Sequence, residues 1–267
     1  MVKKLKIKIE NDITFEKGFE EFIDSCKARN LRPATIRHYN EAYKNISKFM
    51  GKDKPLKDIN IGTVDEFVRE CNKLDIKSQT LYTYTRDLKT ILYFFIKMGY
   101  VTDFKIKLPK HDKEAIETYS DSELAILLKK PNLKQCSFVE YRDWTIINFI
   151  LSTAVRLNSF INIKIRDLDF ENRVVYVNTT KNRKPLIIPL NDNIVKILKE
   201  YLKVRQHKSD DDFLFCTAYS KQLNKKTIDG SMLKYNRDRG VVKTGIHRYR
   251  HTFAKKFITS GGNPVIL

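Results

Sequence analysis

The sequence predicts a mainly α-helical protein in two parts: a helical bundle, then a mixed α+β domain with a small β-hairpin. Three observations predict it. Apolar residues recur at helical spacing four times within the first hundred residues. That periodicity lapses in a charged stretch carrying Pro109. Two β-rich runs, RVVYVN (173–178) and PLIIPL (185–190), then interrupt a second set of helical segments.

In chain order, Phe15, Phe19, Phe22, Ile23 and Cys26 share the first helix face. Ile36, Tyr39, Tyr43, Ile46, Phe49 and Met50 share the second, whose helix stops at Gly51. Ile61, Val64, Phe67, Val68, Cys71 and Leu74 give a third. Leu81, Leu88, Ile91, Leu92, Phe95 and Ile96 give a fourth, opened by Ser78 and closed near Gly99. These faces need one another for burial, which makes a small all-helical bundle.

Between Tyr100 and Thr118 the chain is charged at almost every other position, and it reads as an interdomain connection. The expected boundaries are 1–107 for the first domain, 108–118 for the linker and 119–267 for the second domain. Helices resume at a capping box, Ser120 to Glu123, and across Arg142 to Val155. The two β-rich runs follow, joined by the polar turn TTKNRK, as a hairpin within a helical domain. Further helices are expected over Asn193 to Arg205, Lys226 to Asp238, and His247 to Thr259, the last ending at Gly261-Gly262.

Charge narrows the partner. The 267 residues hold 51 Lys plus Arg against 32 Asp plus Glu, a net charge of +19, and the excess is divided between the two parts. The first 110 residues carry net +8 and the rest +11. Two basic halves facing one nucleic acid fit this better than a membrane surface, which would want the cations gathered on one amphipathic helix. No apolar run approaches the roughly 18 residues of a membrane span, and the N-terminus MVKKLKIKIENDITF lacks a secretory apolar core. Cys26, Cys71, Cys136 and Cys216 form no C-x-x-C pair and read as thiols in a reducing cytoplasm. An apolar content of 42% can fill two cores, which excludes whole-chain disorder.

Three segments place cations where chemistry needs them. Arg156 follows the apolar run ending in STAV, where a guanidinium requires an anion or a carboxylate; a structural ion pair satisfies it equally. Lys181, Arg183 and Lys184 lie in the hairpin turn, able to reach into a groove or simply solvated. His247, Arg250 and His251 open the last helix, where residues three apart share a face. They sit within Lys221 to Lys256, a stretch of eleven basic and two acidic residues that also holds Lys225, Lys226 and Arg248. Arg183, Lys184, Lys225, Lys226 and Arg248 are the expected DNA contacts.

Taken in order, TAVR (153–156), RDLDFENRVVYV (166–177), TKNRKPLIIPL (180–190) and HRYRHTFA (247–254) resemble the tyrosine recombinases, the phage integrase and Xer family. The resemblance covers nearly the whole chain. It implies an N-terminal SAM-like core-DNA-binding domain, a mixed α+β catalytic domain, and site-specific DNA recombination through a 3′-phosphotyrosyl intermediate. It matches Arg156 to the first catalytic Arg, Lys181 to the hairpin Lys, and His247 and Arg250 to the family's H-x-x-R. It implies double-stranded DNA as partner, copies assembling as a homo-oligomer on it, no metal or other cofactor, and a bacterial or phage setting. Two positions depart from the family pattern: Ser159 stands where a Glu is common, and Ala154 where a Gly is. The family's L-G-H (or Trp) motif and nucleophilic Tyr are expected roughly six and roughly fifteen residues beyond Leu267, so this chain is expected to bind DNA and to lack the nucleophile. Tyr249 and Tyr235 read as core packing, while Tyr82, Tyr84 and Tyr93 pack or touch DNA.

Two other classes remain to be weighed. Asp167 and Asp169, with Asp143 or Glu171, would be the carboxylates of a metal-dependent DDE-type transposase or nuclease. Against it, R-D-L-D reads as a cap on the turn into the hairpin. The other class is a non-enzymatic DNA-binding fragment with the same grip and no cleavage.

Overall fold

Side-chain caps open two of the four α-helices of the first unit, and a proline opens a third. The computed structural model describes residues 13–112, 115–180 and 184–263, and the chain divides into the units Met1–Glu114 and Ala115–Leu267. In the first, the Lys17 N–H donates to Thr14 Oγ1 at 3.3 Å and opens α1 (Phe15–Ala28). Proline in the first turn pre-sets α2 (Pro33–Met50), which stops at Gly51 with φ +76°. Asn60 and Thr63 exchange hydrogen bonds in the capping box of α3 (Ile61–Asn72), and α4 (Ser78–Lys97) closes the bundle.

The four faces meet in one core that includes Phe15, Phe22, Ile46, Phe67, Leu88 and Phe95. Gly18 makes the closest approach in it: a Cβ there would lie 2.6 Å from Leu56 Cδ1 and 3.0 Å from the Phe95 ring. On the third face only Val64, Phe67 and Cys71 are fully buried. Ile61 and Leu74 are 44% and 46% exposed, because Ile61 opens the helix and Leu74 lies past its end at Asn72. After α4 the aperiodic chain stays with the bundle, since Val101 and Ile106 join its core and Lys89 Nζ donates to the Ile106 carbonyl at 2.9 Å.

In the second unit, Ser120 and Glu123 form the capping box of α5 (Asp121–Leu127). α6 (Phe138–Thr153) starts four residues before the expected Arg142, because Ser137 caps it by accepting from the Glu140 N–H at 3.2 Å. This helix is buried almost all round, so its polar side chains bond inward. Thr145 and Thr153 Oγ1 donate to the Tyr141 and Phe149 carbonyls at 2.9 and 2.7 Å, and Asn148 Nδ2 donates to the Trp144 carbonyl at 2.9 Å. Arg142, 2% exposed, donates to Asp143 Oδ1 from Nε at 2.9 Å and from Nη2 at 2.6 Å, and from Nη1 to the Cys216 carbonyl at 3.0 Å.

A one-turn helix α7 (Leu157–Phe160) leads to an antiparallel sheet, β1 (Leu168–Asp169), β2 (Val174–Val177) and β3 (Leu186–Pro189), ordered β1-β2-β3. Val175 is the partner of Leu168 on one side and Ile188 on the other. The hairpin of β2 and β3 was expected from sequence; β1 was not, being too short to show alternation. It pairs because Asp169 closes the following turn, accepting from the Glu171 and Asn172 N–H groups at 3.1 and 2.8 Å. Then come α8 (Asp192–Val204), α9 (Lys225–Arg237) and α10 (Ile246–Thr259), all packed on α6. No helix among the described residues is long and apolar enough to cross a membrane.

Candidate functional site

α6 ends at Ala154, whose backbone turns left-handed, with φ 50° and ψ 22°. The reversal sends Val155 into the core and puts Arg156 outside, at the N-cap of α7. There the Arg156 carbonyl accepts from the Ser159 and Phe160 N–H groups, both at 2.9 Å. α10 starts after Gly245, which has φ +107°, and buries Ile246, Tyr249 and Thr252. Arg250 therefore points to the other side, and its Nη1 donates to the Ala154 carbonyl.

The result is a cleft of about 560 Å³. Arg156, Ser159, Thr180, Lys184 and Arg250 give it polar walls, and Leu186, Ile187, Phe253 and Phe257 give it apolar ones. Burial, and then the positive charge of Arg156, hold the Arg250 guanidinium below its ordinary value. Among the described residues no carboxylate pairs with Arg156. Two like charges converging on one concavity describe an anion site.

His247 is exposed one turn before Arg250 on the same helix face and is not part of the cleft lining. It lies close enough to His251 to help lower that ring's titration, after burial and ahead of Arg250. Lys184 lines the cleft, and its carbonyl accepts from Thr180 Oγ1 at 2.6 Å. Lys181 and Arg183 lie outside the described residues. Lys225 and Lys226 are exposed in the first turn of α9, away from the lining. Arg248 is committed elsewhere: its Nη1 donates to the Glu117 carbonyl at 2.9 Å and to the Glu117 carboxylate at 3.1 Å.

Sequence reasoning missed Phe253 and Phe257, stacked at 5.8 Å along the cleft. Their spacing of three and seven from Arg250 puts them on its face, a signal the segment already carried. The four carboxylates of the metal-dependent reading do not converge. Asp143 is held by Arg142, and Asp167 accepts from the Lys164 N–H at 2.8 Å and from Asn178 Nδ2 at 3.2 Å. Asp169 closes its turn, and no cluster of three or more His, Cys, Asp or Glu among the described residues is set to hold a metal ion. Tyr249 is fully buried and donates to Asn236 Oδ1 at 2.7 Å, and Tyr235 donates to the Leu127 carbonyl at 2.9 Å. Burial pushes both hydroxyls well above the usual tyrosine range.

Comparison with known proteins fits this arrangement. Residues 121–267 match the phage integrase family, and residues 14–113 match the phage integrase SAM-like domain. Tyrosine recombinase XerD of Staphylococcus saprophyticus is 23% identical over 246 residues, covering 88% of this chain and 82% of that protein. Tyrosine recombinase XerC of Psychromonas ingrahamii is 23% identical over 249 residues, covering 88% and 80%. Among solved structures, the Tn1549 transposon integrase in complex with circular intermediate DNA shares the fold with a TM-score of 0.76 at 20% identity, over 95% of this chain and 90% of that one. A lambda integrase tetramer bound to a Holliday junction does so with a TM-score of 0.74 at 14% identity, over 97% and 77%. With its second unit matched along its length and a SAM-like domain before it, the chain belongs to the phage integrase family of tyrosine recombinases.

Proposed function

We propose that this chain acts in site-specific DNA recombination, holding duplex DNA and presenting Arg156 and Arg250 to a scissile phosphodiester. One observation carries the reading: two guanidinium groups from segments 94 residues apart line one cleft, the second held there by the Ala154 carbonyl two residues before the first. Phosphoryl transfer spreads negative charge over the nonbridging oxygens, and two positioned arginine forks stabilise it as it develops. The assigned roles follow the chemistry. A tyrosine oxygen attacks phosphorus, the bond to the 5′ oxygen breaks, and a 3′-phosphotyrosyl link forms that conserves the bond energy for rejoining. Lys181 gives a proton to the departing 5′ oxygen, and His247 donates to the phosphate or takes the nucleophile's proton.

Residues 1–107 and 119–267, joined by 108–118, serve as two DNA-contacting domains, with Lys184, Lys225, Lys226 and Arg183 among the contacts, and Arg248 joining them by exchanging the Glu117 carboxylate for a phosphate. The DNA complexes of the Tn1549 and lambda integrases, the latter a tetramer, support duplex DNA as the partner and assembly of several copies on it. Tyr249 and Tyr235, on the cationic helices, are turned into the core and are not placed to supply the attacking oxygen. The test is incubation with a nicked recombination site followed by denaturing electrophoresis. Retarded duplex in native gels, with no band linked through Tyr249 or Tyr235, is the expected result. A covalent band mapping to Tyr249 or Tyr235 overturns the packing role given to those two residues, and failure to bind duplex at low salt overturns the reading itself.

A further inference from the structure

We infer that Asn236 and Tyr119 are positioning residues for Arg250 and His247, acting through a buried hydrogen-bonded cluster on the rear face of α10. The inference rests on the reading of the cleft as the active site. Asn236 is fully buried, and both ends of its amide are engaged. Oδ1 accepts from the Tyr249 hydroxyl at 2.7 Å, while Nδ2 donates to the Lys243 carbonyl at 2.7 Å and to the Tyr119 hydroxyl at 2.9 Å. One side chain on α9 thus ties down α10 itself, the loop that leads into it, and the chain just before α5.

Tyr119 reinforces the same place. Its ring stacks on Tyr249 with centroids 4.5 Å apart, and its N–H donates to Thr252 Oγ1 at 3.0 Å. On either side of it, Glu117 accepts from Arg248, and Asp121 accepts from Lys256. Segment 117–121 is therefore fastened along the length of α10, on the side away from Arg250. Apolar packing alone tolerates small slides of a helix, whereas a fully paired buried polar group admits one register. Register matters here because Arg250 must reach the Ala154 carbonyl while keeping its place beside Arg156.

A purely stabilising cluster would look the same at rest, so the test separates stability from geometry. The 267-residue chain is prepared as Asn236→Ala and as Tyr249→Phe, which removes one hydroxyl and keeps the ring stack if the first variant does not fold. Leu88→Ala, which opens a cavity in the core of the other unit, is the control for lost stability away from the cleft. Two signals are read by NMR well below melting: the Arg250 side-chain N–H during titration with inorganic phosphate, and the titration of His251. The expected result is phosphate affinity weakened about tenfold, the loss of one charge-assisted contact, with His251 shifted toward its ordinary value, in the cluster variants alone. Variants that melt earlier yet match the wild type in both signals overturn the inference. Arg156→Ala tests the site: unchanged phosphate binding there overturns the active-site reading, while the His251 titration still decides the positioning role.

Discussion

The carbonyl of Ala154, at the end of α6, accepts a hydrogen bond from the guanidinium of Arg250 on α10. The acceptor belongs to a residue in the left-handed region, so the backbone reversal that exposes Arg156 also aims the group that holds Arg250. A β-branched side chain fits that conformation badly. Ala154→Val is expected to lower stability by about 1–3 kcal/mol, while Ala154→Gly stays within about 1 kcal/mol, lost methyl burial offsetting relaxed strain. Urea denaturation of both variants checks the order.

Arg156 contributes to the site and not to the fold. It is exposed, and its charge opposes that of Arg250. Arg156→Ala is expected to leave unfolding free energy within about 0.5 kcal/mol of wild type. In DNA cleavage, removing either arginine is expected to slow the chemical step by about 10²–10³-fold. Thermal melts and single-turnover cleavage measure the two effects.

The buried pair of Arg142 and Asp143 behaves oppositely. Burial pushes Asp143 up to about 6 from 3.8, against the pull of Arg142. Between those values the folded state holds more protons than the unfolded one, so this group's contribution to stability falls as pH rises from 3.8 to 6. Arg142→Met removes the pull and carries the folded value higher. The variant is expected to be less stable by about 3–5 kcal/mol at neutral pH and above, with the deficit narrowing toward pH 5. Denaturant titrations across that range decide it.

His251 carries the contrary sign. Burial, His247 and Arg250 hold it below its ordinary 6.5. As pH falls through 6.5 the unfolded chain takes the proton first, and stability is lost until the folded value is passed. Wild type is expected to lose stability relative to His251→Gln in that window, and the two to run parallel above it. A His251 resonance titrating at or above its ordinary value would contradict this.

Binding of duplex DNA is expected to weaken about 10³–10⁵-fold between 50 and 200 mM salt if six or more phosphates are contacted. Arg250→Ala changes that affinity little, one contact among many. Filter binding across the salt series gives the slope, and a flat one removes the electrostatic grip.

What sequence made legible was what repeats at short range. The helices of the first unit were readable because Phe15, Phe19 and Phe22 and their counterparts recur at helical spacing, and α8, α9 and α10 fall within a residue of their expected ends. β1 was not readable, since two residues cannot alternate. The left-handed Ala154 was not either, because alanine does not signal positive φ as glycine does. Arg156 and Arg250 were marked by residue type and segment order, but their convergence depends on the Ala154 turn. The cluster of Tyr119, Asn236 and Tyr249 spans 117 residues from Tyr119 to Asn236 and leaves no local pattern.

α6 shows what a polar residue is free to become. Thr145, Asn148 and Thr153 each bond back to a carbonyl of their own helix, so every hydroxyl or amide travels with the turn that satisfies it. Such positions make no demand on neighbouring segments, and over many generations Thr145 can drift to valine with only a local readjustment. Asn236 has no such freedom: its three bonds reach three other stretches of chain, and a change there must be answered in all of them at once.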